Sequence, residues 1–179
     1  MIYKFDELDS TNKYCLENYN ELKQMDVIYA LKQTSGRGRM GRSWESNDSI
    51  AMSIVLKDNL NFDLGKISFI AAASIYNVLK KYVSNLSIKW PNDVYVNDKK
   101  ICGILLEGVA NECLIIGVGL NVNQTNFSKE IEDKTTSIIN IKNKKTSIFL
   151  LKNKLYKLIY KELNKKENDD KSYLEIVRN

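Results

Sequence analysis

The middle of this 179-residue sequence consists of short apolar segments separated by tight polar turns, and this pattern constrains the fold more than any other feature. Residues 50–56 carry apolar side chains at alternate positions, as a half-buried strand does. Further strand candidates follow at residues 87–90, 94–96, 101–106 and 113–122. Because strands outnumber helices and cluster here, the predicted class is α+β, with a mixed, largely antiparallel central sheet flanked by helices.

Turns and flanking elements complete this prediction. Asn97-Asp98 is a turn of the hairpin type, and the turn at residues 108–111 predicts antiparallel pairing of the last two strands. A strand at residues 2–5 precedes a helix that begins at residues 9–12 and carries Cys15, Tyr19 and Leu22 on one face. The other predicted elements are a strand at 27–33, a long loop at 34–48, a helix at 64–83, an ordered run at 136–141 within an irregular segment, and a helix at 147–163 capped by Thr146.

The composition limits the chemistry open to the chain. Hydrophobic residues make up 44% and charged residues 27%, which is typical of a globular protein, and we assign residues 1–179 to one domain. The absence of histidine excludes a Ser-His-Asp triad and a His-ligated zinc site. Without a leader or a membrane-spanning apolar run, the sequence predicts a cytoplasmic protein that makes no membrane contact. Three cysteines without metal-ligand spacing are expected to be small buried hydrophobes: Cys15, Cys102 and Cys113.

The arginines are concentrated in one loop. The net charge is +5, but the excess is mostly scattered lysine, which is more typical of solvated helix faces than of a nucleic-acid surface. Of 27 basic residues only four are arginine, and three of these are Arg37, Arg39 and Arg42. Planar guanidinium groups suit a carboxylate, a ureido carbonyl or a phosphate. We therefore expect a loop that becomes ordered over an anionic ligand, with a mobile surface loop as the simpler alternative.

The same loop formally matches a dinucleotide-binding motif. Residues 36–41 read G-x-G-x-x-G and follow a predicted strand. In dinucleotide-binding folds this motif opens a helix whose N-terminus receives the pyrophosphate. Here the next predicted element is the strand at residues 50–56, so the context is wrong and we reject a dinucleotide site.

A second polar group surrounds the single proline. Residues 89–93 read Lys-Trp-Pro-Asn-Asp, and residues 99–103 read Lys-Lys-Ile-Cys-Gly. Strand alternation groups Lys100 with Cys102 and Ile104, on the face opposite Ile101. A lysine in a pocket and a nearby aspartate suit phosphoryl or nucleotidyl transfer, with the cation facing phosphate charge and the carboxylate binding Mg²⁺. A plain proline turn beside a lysine-rich hairpin tip is the alternative.

These motifs together resemble the catalytic domain of biotin protein ligases. Their order and spacing agree from about residue 1 to residue 165, and the glycine-arginine loop combined with the Lys-Trp-Pro-Asn-Asp block is highly specific. The motifs that carry the resemblance are Ser10-Thr11-Asn12, Gln33, Gly36 to Trp44, Lys89 to Asp93, Lys100 to Ile104, and Gly117 to Asn123.

The resemblance implies a two-step reaction and a set of binding residues. Biotin and MgATP give biotinyl-5′-AMP and pyrophosphate, and the adenylate then acylates one lysine of a biotin-acceptor domain. Lys100 and Arg39 are expected to be catalytic, and Asp93 to organise Mg²⁺. The biotin-binding positions implied are Ser10, Thr11, Asn12, Gln33, Arg37, Gly38, Arg39, Lys100 and Gly103. The ATP-binding positions implied are Arg42, Trp44, Lys89, Asn92, Asp93 and Asn121.

Partners and domain boundaries follow from the same resemblance. The expected acceptor is the carrier protein of acetyl-CoA carboxylase or of another biotin-dependent carboxylase, and the expected state is a monomer or a homodimer. Because the first motif begins at residue 10, we expect no N-terminal DNA-binding domain and no binding to DNA. We also expect the small C-terminal β-barrel of the family to be absent. Two alternatives remain: a lipoate or octanoyl ligase or transferase of related fold, and a non-catalytic biotin-binding module.

Overall fold

The computed structural model describes residues 1–57, 63–110 and 112–165. The strands are β1 Ile2–Leu8, β2 Val27–Gln33, β3 Ile50–Leu56, β4 Leu86–Lys89, β5 Asp93–Val96, β6 Lys99–Val109 and β7 Cys113–Leu120. The helices are α1 Thr11–Glu17, α2 Leu64–Leu79, α3 Ile138–Lys142 and α4 Ile148–Leu163, with short 3₁₀ turns at Arg39–Gly41 and Glu132–Lys134. Within the described ranges, no helix is long and apolar enough to cross a membrane.

One seven-stranded sheet organises the described residues, in the order β1-β2-β3-β7-β6-β5-β4. β1 pairs parallel with β2, and the other neighbouring strands pair antiparallel, which confirms the predicted mixed, largely antiparallel sheet. The β5–β6 hairpin turns at Asn97 and Asp98, with φ values of 47° and 61°, as a two-residue type I′ turn requires. Of the turn predicted at residues 108–111, Gly108 belongs to β6 and Asn111 lies outside the described residues.

Helices cover both faces of the sheet and bury two apolar clusters. α2 and α4 pack together over one face, where Ile75, Leu79 and Leu155 are fully buried. Because β3 is central and α1 covers the opposite face, all of β3 is buried, and the prediction that it is half-buried is wrong. The cluster beneath α1 consists of Cys15, Leu22, Ile28, Val55, Cys113 and Ile115.

Two predicted helix boundaries are also corrected. α1 ends at Glu17, so Tyr19 and Leu22 follow the helix instead of lying on it. α4 is capped by Ser147, whose hydroxyl accepts a backbone N–H three residues further on. Thr146 is not the cap. Its backbone N–H donates to the side chain of Asn123, and its carbonyl accepts from the same side chain.

A β-bulge in β6 changes which side chains share a face of the sheet. Two adjacent residues of β5 pair with Lys100 and Cys102, which leaves Ile101 as an extra residue without a partner in β5. Ile101 and Cys102 are consequently both buried in the core. The prediction that Lys100 shares a face with Cys102 and Ile104 is therefore wrong, because the bulge turns Lys100 toward Gly103 on the α1 face.

The cysteines are free thiols in the core, as predicted, and each is 3% exposed or less. Burial raises the pKa of the Cys15 thiol to about 12 and also raises the pKa of the Cys102 thiol. Both thiols stay protonated at neutral pH and pack as small apolar groups.

Two adjacent leucines of α4 test this packing. Leu151 is fully buried, whereas Leu150 is 57% exposed. Leu151→Ala should lower the free energy of unfolding by about 2–5 kcal/mol, because it removes apolar contacts and leaves a cavity. Leu150→Ala, the matched control, should change it by less than about 0.5 kcal/mol. Urea denaturation measures both values, and equal losses would contradict the burial of α4 against α2.

Candidate functional site

A cavity of about 400 Å³ opens on the face of the sheet that α1 partly covers. Residues of β3, β6 and β7 form its floor, and the loop after β2 lies across it. The N-terminus of α1 lies at one end, and residues 127–135 line the other. Every residue predicted for the site lines this cavity except Lys89.

The floor is a strip of glycines. Gly103 of β6 pairs with Gly119 of β7, and Gly117 lies two residues further along β7. A Cβ atom at Gly119 would lie 2.3 Å from Cε2 of Trp44, and one at Gly117 would lie 2.3 Å from Oδ1 of Asn12. These positions therefore require glycine, because the indole and the amide rest directly on the sheet backbone.

Hydroxyl and amide groups form the α1 end of the cavity. Thr11 donates its backbone N–H and its hydroxyl to Oε1 of Gln33, at 2.8 and 3.2 Å. Ser53 of β3 is fully buried, and its hydroxyl donates to Oδ1 of Asn12 at 2.6 Å. Ser10 has a structural role as the N-cap of α1. Hydrogen bonds among these side chains thus fix their orientations before a ligand binds. A site that binds a neutral polar ligand requires this.

The loop across the cavity is held by its own backbone. Gly36 accepts a hydrogen bond from the Trp44 N–H at 2.8 Å, and the Gly38 N–H donates to the Arg42 carbonyl at 2.7 Å. At its tip, Met40 adopts a φ of 56° and is 89% exposed. The loop is therefore an ordered hairpin-like cover.

Two arginines anchor this cover to the sheet. Nη2 of Arg37 donates to Oε2 of Glu107 at 3.1 Å, and Nη1 of Arg39 donates to Oδ1 of Asn92 at 2.9 Å. Both arginines line the cavity. Because each arginine has five N–H donors, donors remain that can face an anionic ligand.

A lysine and an aspartate form an ion pair at the centre of the cavity. Nζ of Lys100 lies 2.8 Å from Oδ1 of Asp93 and 5.6 Å from the centroid of the Trp44 ring. The cation is partly buried, so its charge is less screened than on the surface. This arrangement suits stabilisation of a developing negative charge.

Asp93 is also the residue predicted to bind Mg²⁺. Among the described residues, no group of three or more histidine, cysteine or acidic side chains could hold a metal ion. Mg²⁺ can be held by one or two carboxylates together with substrate phosphates, so Asp93 fits as a single protein ligand. Mg²⁺ would neutralise phosphate charge there.

The opposite end of the cavity combines an amide with apolar walls. Asn121 is 1% exposed, and its Nδ2 donates to the Thr136 carbonyl at 3.0 Å. Within the described part of the chain, its Oδ1 is buried without a hydrogen-bond partner. Phe127 and Ile131 supply apolar surface, and Lys134 supplies a positive charge. This end suits a flat heterocycle that offers an N–H donor and carries an anionic group.

Lys89 is the predicted site residue that does not line the cavity. Its ammonium lies 5.4 Å from the ring centroid of Tyr95, and Tyr95 lines the cavity. Burial, followed by the charge of Asp93, raises the pKa of the Tyr95 hydroxyl, while Arg42 opposes the shift. Tyr95 therefore stays protonated at neutral pH and can donate a hydrogen bond.

Several residues of the site were missed by the sequence prediction. Ser53 and Glu107 connect residues that were predicted, but both lie in apolar strands with no local motif. Phe127 and Ile131 are apolar residues within a polar, irregular segment, which is a signal that could have identified them.

The glycine floor gives a direct stability test. Gly119→Ala should lower the free energy of unfolding by about 1–3 kcal/mol, because the added methyl overlaps the Trp44 indole. Gly65→Ala is the matched control, since a methyl there would closely approach only Oδ1 of the flexible Asp63 side chain, at 3.2 Å, and alanine favours the α2 helix by up to about 1 kcal/mol. A Gly119 variant as stable as the wild type in urea denaturation would refute the indole position.

Comparisons with known proteins agree with this geometry. Residues 5–121 match the model of the biotin/lipoate A/B protein ligase family. The bifunctional ligase/repressor BirA of Bacillus subtilis is 36% identical over 144 residues, which is 74% of this chain and 44% of that protein. The biotin–[acetyl-CoA-carboxylase] ligase of Paracoccus denitrificans is 32% identical over 143 residues, which is 75% of this chain and 60% of that one. The chain thus spans about half the length of these curated relatives.

A solved structure extends the agreement to the fold. The biotin protein ligase of Aquifex aeolicus in complex with biotin and ATP superimposes with a TM-score of 0.86 and is 31% identical, covering 97% of this chain and 74% of that one. The family match includes the glycine-arginine loop, the Lys100–Asp93 pair and the glycine floor. The chain therefore belongs to the biotin/lipoate A/B protein ligase family.

Proposed function

We propose that this chain is the catalytic domain of an ATP-dependent biotin protein ligase. The observation that carries the proposal is one continuous cavity with a neutral polar end, a central lysine–aspartate pair and a second end with the unpaired buried oxygen of Asn121. The biotin and ATP named in the Aquifex aeolicus complex support the same assignment.

The α1 end would bind the ureido ring of biotin. A urea is neutral and offers both N–H donors and a carbonyl acceptor, which matches the hydroxyl and amide groups of Thr11, Asn12 and Gln33. The apolar part of the ligand would lie along the glycine floor toward Lys100. Its carboxylate would then reach the centre of the cavity.

Lys100 would stabilise the first chemical step. A carboxylate oxygen of biotin attacks the α-phosphorus of ATP, a new C(O)O–P bond forms, and the bond to the β-phosphate breaks with release of pyrophosphate. Negative charge accumulates on the α-phosphate oxygens in the transition state. Lys100 and Arg39 both line the cavity and would lie near this charge, and cations held in a partly buried site stabilise such charge more strongly than in water.

The far end would hold the adenosine. Oδ1 of Asn121 is an acceptor without a partner among the described residues, and an exocyclic amine would satisfy it. Phe127, Ile131 and the Trp44 ring supply surface for a flat base. Arg42 and Asn92 line the cavity and would contact phosphate or ribose, whereas Lys89 would act only through Tyr95.

In the second step, the side-chain amine of an acceptor lysine attacks the acyl carbon of the adenylate. An amide forms, the acyl–phosphate bond breaks, AMP leaves, and the amine loses a proton to solvent. The loop that Arg37 and Arg39 anchor would limit hydrolysis before transfer, because it covers the cavity. We propose a carboxylase carrier domain as the acceptor, and a monomer or homodimer in the cytoplasm.

Two other functions are separable by experiment. Lipoate ligation falls within the same family, but the hydroxyl and amide end of the cavity favours a urea over an apolar dithiolane. A non-catalytic biotin-binding module would bind biotin without consuming ATP. The central ion pair, which a simple binding site does not need, favours catalysis.

Adjacent lysines of β6 provide a matched test of catalysis. Lys100→Ala should lower biotin-dependent pyrophosphate release from MgATP by about 10²–10³-fold, because it removes the central cation. Lys99→Ala, which removes an exposed charge one residue away, should retain the wild-type rate within about twofold. Biotin should still bind the Lys100 variant, as calorimetry would show. A normal rate for the Lys100 variant would contradict its catalytic role.

A further inference from the structure

Glu107 joins two parts of the site without lining the cavity itself. Its Oε2 accepts hydrogen bonds from Nδ2 of Asn12 at 2.9 Å and from Nη2 of Arg37 at 3.1 Å. Asn12 belongs to α1 and Arg37 to the loop across the cavity, whereas Glu107 belongs to β6. The Glu107 side chain is 25% exposed, so these charge-assisted bonds lie in a partly desolvated position.

Glu107 fixes the orientation of the Asn12 amide. Both a carboxylate and a carbonyl only accept hydrogen bonds, and Nδ2 of Asn12 faces Glu107 together with the Leu105 carbonyl at 3.3 Å. The amide nitrogen therefore has both of its hydrogens bound on this side. Oδ1 is turned the other way, where it accepts from Ser53 and lies directly over Gly117 of the cavity floor.

This orientation sets the hydrogen-bonding character of the α1 end. An amide oxygen can accept two hydrogen bonds, and Ser53 supplies one of them. Oδ1 thus presents an acceptor toward the cavity floor, while Nδ2 presents no donor there. The position is suited to a ligand N–H, whereas a flipped amide would repel one.

Glu107 orients the Arg37 guanidinium in the same way. One Nη2–H bond goes to the carboxylate, and because Arg37 lines the cavity, the other donors of the planar group are available to a ligand there. A single carboxylate therefore places an acceptor and a cationic donor around the same end of the cavity. A urea, with both N–H and carbonyl groups, is the neutral ligand that uses both.

We propose that Glu107 is a positioning residue that makes the α1 end selective for a ureido ligand, by holding the Asn12 amide and the Arg37 guanidinium in their binding orientations. This proposal rests on the proposed function. It adds a residue that contacts neither ligand nor reacting atoms, and it names the hydrogen-bond pattern that the pocket recognises.

Glu107→Gln tests the role, because it keeps the shape of the side chain but removes the charge and introduces an N–H₂ group. We expect the Kd for biotin, measured by calorimetry without ATP, to rise about tenfold, as the loss of one charge-assisted interaction implies. Glu107→Asp, which keeps the charge, should raise the Kd less. Glu7→Gln is the matched control: it removes a carboxylate paired with Lys32 on the surface and should leave the Kd unchanged.

A double-mutant cycle separates positioning from a general structural effect. Arg37→Gln alone should raise the Kd about tenfold, and the Glu107→Gln/Arg37→Gln double variant should be little weaker than either single variant, because both remove the same oriented group. If the Kd of the double variant rises about a hundredfold, which is the product of the two single effects, the proposal is overturned. Thermal unfolding of each variant checks that the fold is retained.

The outcomes distinguish this proposal from the function on which it rests. If the wild type binds biotin and Glu107→Gln binds it within twofold of the Glu7→Gln control, the positioning role is wrong while the proposed function stands. If the wild type does not bind biotin at all, the proposed function fails, and the role of Glu107 fails with it.

Discussion

The close approach of side chains to a glycine strip is the constraint on which the site depends. Because residues 103, 117 and 119 are glycines, one face of the sheet carries no side chains at these three positions, although the sheet is otherwise covered on both sides. The Trp44 indole and the Asn12 amide lie directly on the exposed backbone. Without the strip, neither the covering loop nor the N-terminus of α1 could approach the sheet, and the cavity would be filled by side chains.

The rest of the site follows from what surrounds this strip. The bulge at Ile101 turns Lys100 toward the floor, where Asp93 of the next strand pairs with it at 2.8 Å. Glu107, four residues beyond Gly103 in β6, forms hydrogen bonds to Asn12 of α1 and to Arg37 of the loop. One strand, β6, therefore contributes the central cation, one floor glycine and the anchor of the polar end, which explains how the neutral polar end and the central lysine lie so close together.

Much of this architecture was predictable from local patterns. The strands, the Asn97-Asp98 turn and α2 follow from apolar periodicity and turn chemistry, and the motifs contain most of the residues that line the cavity. The bulge at Ile101 was not predictable, because simple alternation has no signal for an extra residue. Ser53 and Glu107 were missed for a related reason: their roles depend on contacts between elements distant in sequence. Trp44 was identified, but its position on the floor depends on the Gly103–Gly119 register.

The central claim is that this cavity joins biotin to AMP. The most direct measurement is biotin-dependent pyrophosphate release from MgATP by the wild-type chain, with mass spectrometry of the bound product and no acceptor present. The account predicts pyrophosphate release only when biotin is added, together with a product of the mass of biotinyl-5′-AMP. Binding of biotin with no pyrophosphate and no adenylate would contradict it and would identify a binding module instead of a ligase.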